Sequence, residues 1–114
     1  MSHSTEHTSL IETLTTPFDH KTFTVSGGQS LSYLAILQDN AQGDFSFVVQ
    51  HDAHATIKLL CIGTAGHRIA SNILTTLSEN GAQADVYILS LLKDGSDINV
   101  HGNVTLAPDV AKVS

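Results

Sequence analysis

The feature that most constrains the fold is a short motif that recurs along the chain: a turn residue, then small, polar and small residues, then an apolar run. It reads Asp52-Ala53-His54-Ala55-Thr56-Ile57, Gly81-Ala82-Gln83-Ala84-Asp85-Val86 and Pro108-Asp109-Val110-Ala111-Lys112-Val113, with a weaker copy in Gly28-Gln29-Ser30-Leu31-Ser32-Tyr33. The copies begin at 28, 52, 81 and 108, so they step by about 24, 29 and 27 residues, within the range of solenoid repeats. Each interval holds two strand-like apolar runs. A coil of that length with two strands and two turns describes a flattened parallel β-helix, whose coils stack about 4.8 Å apart and whose inward residues form ladders. Alanine at 53, 55, 82, 84 and 111 and glycine at 28 and 81 suit the corners, where a bulky side chain would strike the neighbouring coil. The competing architecture is an antiparallel sandwich with evenly spaced hairpins, because Asn80-Gly81 and Asp94-Gly95 are favoured hairpin turns.

Apolar runs rich in Val, Ile, Leu and Phe, bounded by Gly, Asp, Asn and Gln, predict strands over Thr22–Val25, Leu31–Leu37, Phe45–Gln50, Ala55–Ile62, Ile69–Leu77, Asp85–Leu92 and Ile98–Leu106. The last alternates Ile98, Val100, Val104 and Leu106 with Asn99, His101, Asn103 and Thr105, one face apolar and one wet; Gly102 marks a bend in it. Arg68–Glu79 also carries Ile69, Ile73 and Leu77 at helical spacing with Asn80-Gly81 as a C-cap, but its β-branched content favours a strand. Residues 1–20 are expected to be a mobile polar arm, and 21–114 the β-helix domain of three to four coils. Within the arm, Ser9-Leu10-Ile11-Glu12 has capping-box spacing and Pro17 closes the segment, so a short helix is expected there.

The chain has 114 residues, one domain's worth, and 41% apolar residues, enough for a core. Five Lys and Arg against eleven Asp and Glu give a net charge of −6, which argues against nucleic acid and anionic membrane as partners. Seven histidines would offset that charge on protonation, so solubility is expected to be lowest in mild acid. The single cysteine, Cys61, cannot form an internal disulfide, no apolar signal segment stands at the N-terminus, and no run of about 18 apolar residues occurs. A cytoplasmic protein is the expectation.

Three stretches are similar to the core of the SufB/SufD family, the scaffold proteins of the Suf iron–sulfur cluster assembly machinery. They are Phe23–Leu31, a strand followed by a glycine–small–x–leucine corner; Asn80–Leu92; and Ile98–Val113, a strand, a glycine, another strand and a proline-led corner. The resemblance spans about residues 20–114. It implies a right-handed parallel β-helix that works with a partner ATPase and a second scaffold subunit. The cluster-associated Cys and His positions of that family, and its ATPase-engaging helical segment, lie toward the C-terminus, and no residue here matches them. The chain stops within the last corner motif, which suggests a fragment or a short relative, one that has the fold without the activity. An iron–sulfur cluster is implied for the family, not as a cofactor bound by this chain alone.

The residues themselves offer little chemistry. Cys61 lies in the apolar run Leu59-Leu60-Cys61-Ile62, where a structural role is expected, and a cluster needs several converging thiolates. His51 and His54, flanking Asp52 in a turn, are the candidate metal ligands, although structural or solvated histidines are the plainer reading. His67 and His101 are expected at the surface. Gly63-Thr64-Ala65-Gly66-His67 and Ser26-Gly27-Gly28-Gln29-Ser30 lack the lysine of a phosphate-binding loop and read as turns. No nucleophile–base set or carboxylate pair stands out, so no catalytic residue is assigned and no enzyme is expected. A short solenoid leaves unpaired strand edges, which predicts a homodimer or a scaffold heteromer. Two alternatives stay open: a self-associating β-helix polymerisation module, and a metal-dependent β-sandwich using His51, His54 and His101.

Overall fold

The computed structural model describes residues 7–106, and every regular element in that span is a strand. The strands are β1 (His7–Leu14), β2 (Lys21–Val25), β3 (Ser30–Gln38), β4 (Phe45–Val49), β5 (His54–Ile62), β6 (Arg68–Leu77), β7 (Gln83–Leu91) and β8 (Asp97–Leu106). Odd strands form one four-stranded sheet in the order β1-β3-β5-β7 and even strands the other, β2-β4-β6-β8. All neighbours pair parallel. The chain is therefore a β-solenoid of about three turns, alternating between two facing sheets, and the antiparallel sandwich is excluded. Among the described residues no helix is long and apolar enough to cross a membrane.

The coil period read from the motif reappears in the strand register. Ser30 pairs with His54 and His54 with Gln83, offsets of 24 and 29 residues, the same as the steps between the turn residues at 28, 52 and 81. The fourth copy, at 108–113, lies outside the described residues. At the stacked corner Gly28, Asp52 and Gly81 all adopt positive φ, 74°, 55° and 80°. The left-handed conformation there lets the backbone turn from one sheet to the other while its amides bond between coils: Gly28 N–H donates to His51 O at 3.0 Å and Asp52 N–H to Asn80 O at 3.2 Å. Ala53 and Ala55 are sealed inside, as the corner argument requires.

Period-two alternation decides which side chains enter the core. From the β1–β3–β5–β7 sheet the inward ladders are Leu10-Tyr33-Ile57-Val86, Glu12-Ala35-Leu59-Ile88 and Leu14-Leu37-Cys61-Ser90. From the other sheet come Phe23-Phe47-Thr75-Val104 and Val25-Val49-Leu77-Leu106. The upper coils are filled by aromatic rings: Phe23 stacks on Phe47 with centroids 4.8 Å apart and meets Tyr33 across the sheets at 4.7 Å. Such contacts add to area burial in a core this narrow. Arg68–Leu77 is a strand, and its period-two set Ile69, Ser71, Ile73 and Thr75 is the buried one.

Two expectations need correction. The segment read as a mobile arm with a short helix contains β1, whose eight residues all pair with β3, from His7↔Ser30 to Leu14↔Leu37. One capping box cannot offset the cost of nucleating a helix of two turns, whereas pairing along a preformed strand satisfies the same backbone groups and turns Leu10 and Leu14 inward. The solenoid thus begins before residue 21; residues 1–6 lie outside the description. Gly102 marks no bend. It sits in unbroken register opposite Ile73, on the inward face of β8.

Candidate functional site

The candidate metal ligands His51 and His54 follow β4 and open β5 at the corner that carries Asp52. The corner does not bring them to a common point. Alternation and the turn send each to a different carboxylate of the next coil: His51 Nδ1 lies 3.4 Å from Glu79 Oε1, and His54 Nε2 lies 2.9 Å from Asp85 Oδ2. Both pairs are solvent-exposed, so they tie adjacent coils with the modest energy of surface contacts. His101 belongs to β8, in register with Asn72 of β6, in the sheet that faces the one holding His54. His67 bonds locally, its Nδ1 2.9 Å from Thr64 Oγ1. Among the described residues no group of three or more His, Cys, Asp or Glu side chains converges as a metal would require.

Cys61 is fully buried in the ladder Leu37-Cys61-Ser90. Burial pushes its thiol above the usual range, an effect that the neighbouring Ser90 partly opposes. A thiol rather than a thiolate at neutral pH, enclosed by aliphatic neighbours, is neither a nucleophile nor a ready iron ligand.

What the structure does assemble is a surface. On the outside of the β1–β3–β5–β7 sheet, the first halves of the strands are polar and the second halves apolar. The row Ser9-Ser32-Thr56-Asp85 gives way to Ile11-Leu34-Lys58-Tyr87, then Thr13-Ile36-Leu60-Leu89, then Gln38-Ile62-Leu91. Tyr87 is 56% exposed, Leu89 59% and Leu91 51%. A shallow cleft at the border is lined by Ser9, Ile11, Ser32, Leu34, Thr56 and Lys58. The outside of the β2–β4–β6–β8 sheet is different in kind: Thr22, Ser46, Leu74 and Asn103 make one of its rows, and Thr24, Val48, Thr76 and Thr105 the next.

Sequence reasoning missed this face, though its signal was present. Leu34 to Leu37 and Leu59 to Ile62 are unbroken apolar runs, and an unbroken run in a strand means that both faces want cover. In the other sheet β2 and β8 alternate, and β4 carries only the short run Phe47-Val48-Val49.

A second arrangement also went unread. Glu12 occupies an inward position of β1, where Tyr33 Oη donates to its Oε1 at 2.6 Å and Lys21 Nζ lies 3.4 Å from its Oε2. A carboxylate thus stands in the core column of the first coil, held by one hydroxyl and one ammonium. No family model matches this chain, and searches of curated proteins and of solved structures find no match either.

Proposed function

We propose that this chain is a non-catalytic assembly scaffold of SufB/SufD-like kind, contributing protein–protein contacts to iron–sulfur cluster biogenesis. The observation that carries the reading is the solenoid itself with its uncovered apolar sheet face. A stack of rigid coils presents mainly surfaces and edges, and the cleft between Ser9, Ser32, Thr56 and Lys58 is shallow and open. The stretches similar to that family fall on structural units of the solenoid: Phe23–Leu31 joins β2 to β3 around the Gly28 corner, and Asn80–Leu92 joins the Gly81 corner to β7. Ile98–Leu106 is β8, and the rest of the third stretch lies outside the described residues.

In this reading the cluster is cargo of the larger assembly, and this chain supplies no ligand to it. Cys61 is enclosed, and His51 and His54 are each engaged with a carboxylate. The test is co-expression with a Suf-type ATPase and a Suf scaffold subunit, followed by affinity capture of this chain and sizing of what is recovered. A discrete complex containing either protein supports the reading. A chain recovered alone as long filaments favours the self-associating β-helix module, and a chain recovered alone as a monomer removes both.

A further inference from the structure

We propose that the apolar outer half of the β1–β3–β5–β7 sheet is a docking site for one amphipathic α-helix of a partner protein, with an acidic residue on the helix answering Lys58. The surface goes beyond the preceding functional reading, since it stands whatever the assembly builds.

Four strands about 4.8 Å apart and three rows of outward residues spaced about 6.6 Å make a patch of roughly 15 by 20 Å, about 300 Å². Whatever lies on this patch, a helix or a second copy, buries about 600 Å² in all, well under the roughly 1,200 Å² at which stable interfaces begin, so the contact is a weak one and the area does not choose its occupant. One helix about 10 Å across, lying along the strands, fills the same patch with about 13 residues at 1.5 Å each. Helices laid on parallel sheets are the ordinary cover for strands that are apolar on both faces. The helix would place side chains at i, i+3, i+4 and i+7 against Leu34, Ile36, Leu60 and Leu89.

Charge chooses between a partner helix and a second copy. Lys58 is exposed, sits in the row between Leu34 and Tyr87, and pairs with no acidic side chain among the described residues. A second copy would bring its own Lys58, and the carboxylate on its neighbouring row, Asp85, is already held by His54 at 2.9 Å. Covering Lys58 without an anion has a desolvation cost that an acidic residue beside the helix's apolar stripe removes.

The experiment uses the full chain and two 14-residue helical peptides made of Ala, Gln and Leu, with Leu at the i, i+3, i+4, i+7 positions. One carries Glu and the other Lys beside that stripe. Methyl NMR titration is expected to shift Leu34, Ile36, Leu60 and Leu89, with the Glu peptide binding about threefold to fivefold tighter than the Lys peptide at low salt. Lys58→Glu is expected to reverse that preference, and Leu89→Ser, at an exposed position, to abolish binding while leaving the circular dichroism unchanged. Three results would overturn the proposal: no methyl shift at millimolar peptide, shifts confined to other surfaces, or a peptide preference that Lys58→Glu leaves as it was. A wild-type dimer that Leu89→Ser dissociates would also overturn it, assigning the face to a second copy.

Discussion

Tyr33 Oη donates a 2.6 Å hydrogen bond to Glu12 Oε1, joining the buried aromatic cluster to the only carboxylate among the inward-facing residues of β1. Tyr33 itself is 1% exposed, and the rings of Phe23, Phe45 and Phe47 surround it. Its hydroxyl is held far above the ordinary tyrosine range, first by burial and then by the adjacent Glu12 carboxylate. Unfolded, the same hydroxyl ionises from about pH 10; folded, it keeps its proton. Above that pH the native state binds the extra proton, so stability is intact below pH 10 and falls by about 1.4 kcal/mol per pH unit beyond it. Tyr33→Phe is expected to cost about 1 kcal/mol at pH 7, by losing a bond to a half-exposed carboxylate, and to remove that alkaline slope. Urea midpoints at pH 8, 10 and 11 for the two proteins check both statements; parallel curves would refute the second.

Glu12 has a further consequence at the β1 edge. Inward-pointing charge is one of the devices by which natural sheets discourage edge-to-edge association. Glu12→Leu would complete an apolar ladder with Ala35, Leu59 and Ile88 and leave Lys21 without its partner. The variant is expected to self-associate at concentrations where the parent does not, read by sedimentation velocity over a hundredfold range. Unchanged sedimentation would mean that the charge has no protective role.

Thr75 is fully buried with its hydroxyl unpartnered, and Ser71, four residues earlier on the same inward face, repeats the situation. A buried hydroxyl without a partner bears the whole cost of leaving water. Thr75→Val keeps the branched shape between Phe47 and Val104 and removes that cost. It is expected to stabilise the protein by about 1–2 kcal/mol, seen as a higher urea midpoint at constant slope.

Two glycines should respond in opposite senses. A Cβ at Gly102 would rest 3.4 Å from Ile88 Cδ1 and 3.6 Å from Val86 Cγ1, ordinary packing distances on the inward face of β8. Gly102→Ala should therefore gain about 0.5–1 kcal/mol, largely by restricting the unfolded chain. At Gly81, with φ of 80° and the Asp52 carboxylate against the would-be Cβ, alanine should lose about 1–2 kcal/mol. Thermal denaturation of the two variants separates the cases; equal shifts would contradict the conformational argument.

The strands from β2 onward were legible because apolar runs bounded by turn residues carry their own limits, and each expected run overlaps its strand to within one or two residues. The coil period was legible because the corner imposes a local demand, positive φ followed by small residues, that recurs at 28, 52 and 81. β1 was not. Its sequence satisfies a helix-capping pattern locally, and only pairing with β3, 23 residues away, makes it a strand. The same distinction governs the site. That His51 and His54 sit at a turn is local and was readable. That they meet Glu79 and Asp85, 28 and 31 residues further on, depends on register, which no short window of sequence contains. The two-sided apolar character of β3 and β5 was written in the sequence, yet it acquires meaning only when the solenoid leaves one side of that sheet bare.

Cys61 supplies the last expected outcome, and it bears on the cargo reading of the cluster. Enclosed in the ladder with Leu37 and Ser90 and 0% exposed, its sulfur is out of reach of solvent reagents, and its raised thiol leaves little thiolate at pH 7 to react. Native protein should therefore react with a disulfide reagent such as Ellman's only at the rate at which the coil opens, and at once in denaturant. Because burial raises the folded thiol above its unfolded value, its contribution to stability is complete below about pH 8.5 and declines as the unfolded thiol ionises. Cys61→Ala should cost about 1–2 kcal/mol through the small cavity left beside Leu37, without altering capture of any assembly partner. Rapid labelling of the folded chain, or loss of the partner in Cys61→Ala at unchanged fold, would place this sulfur on a working surface and reopen the question of a ligand.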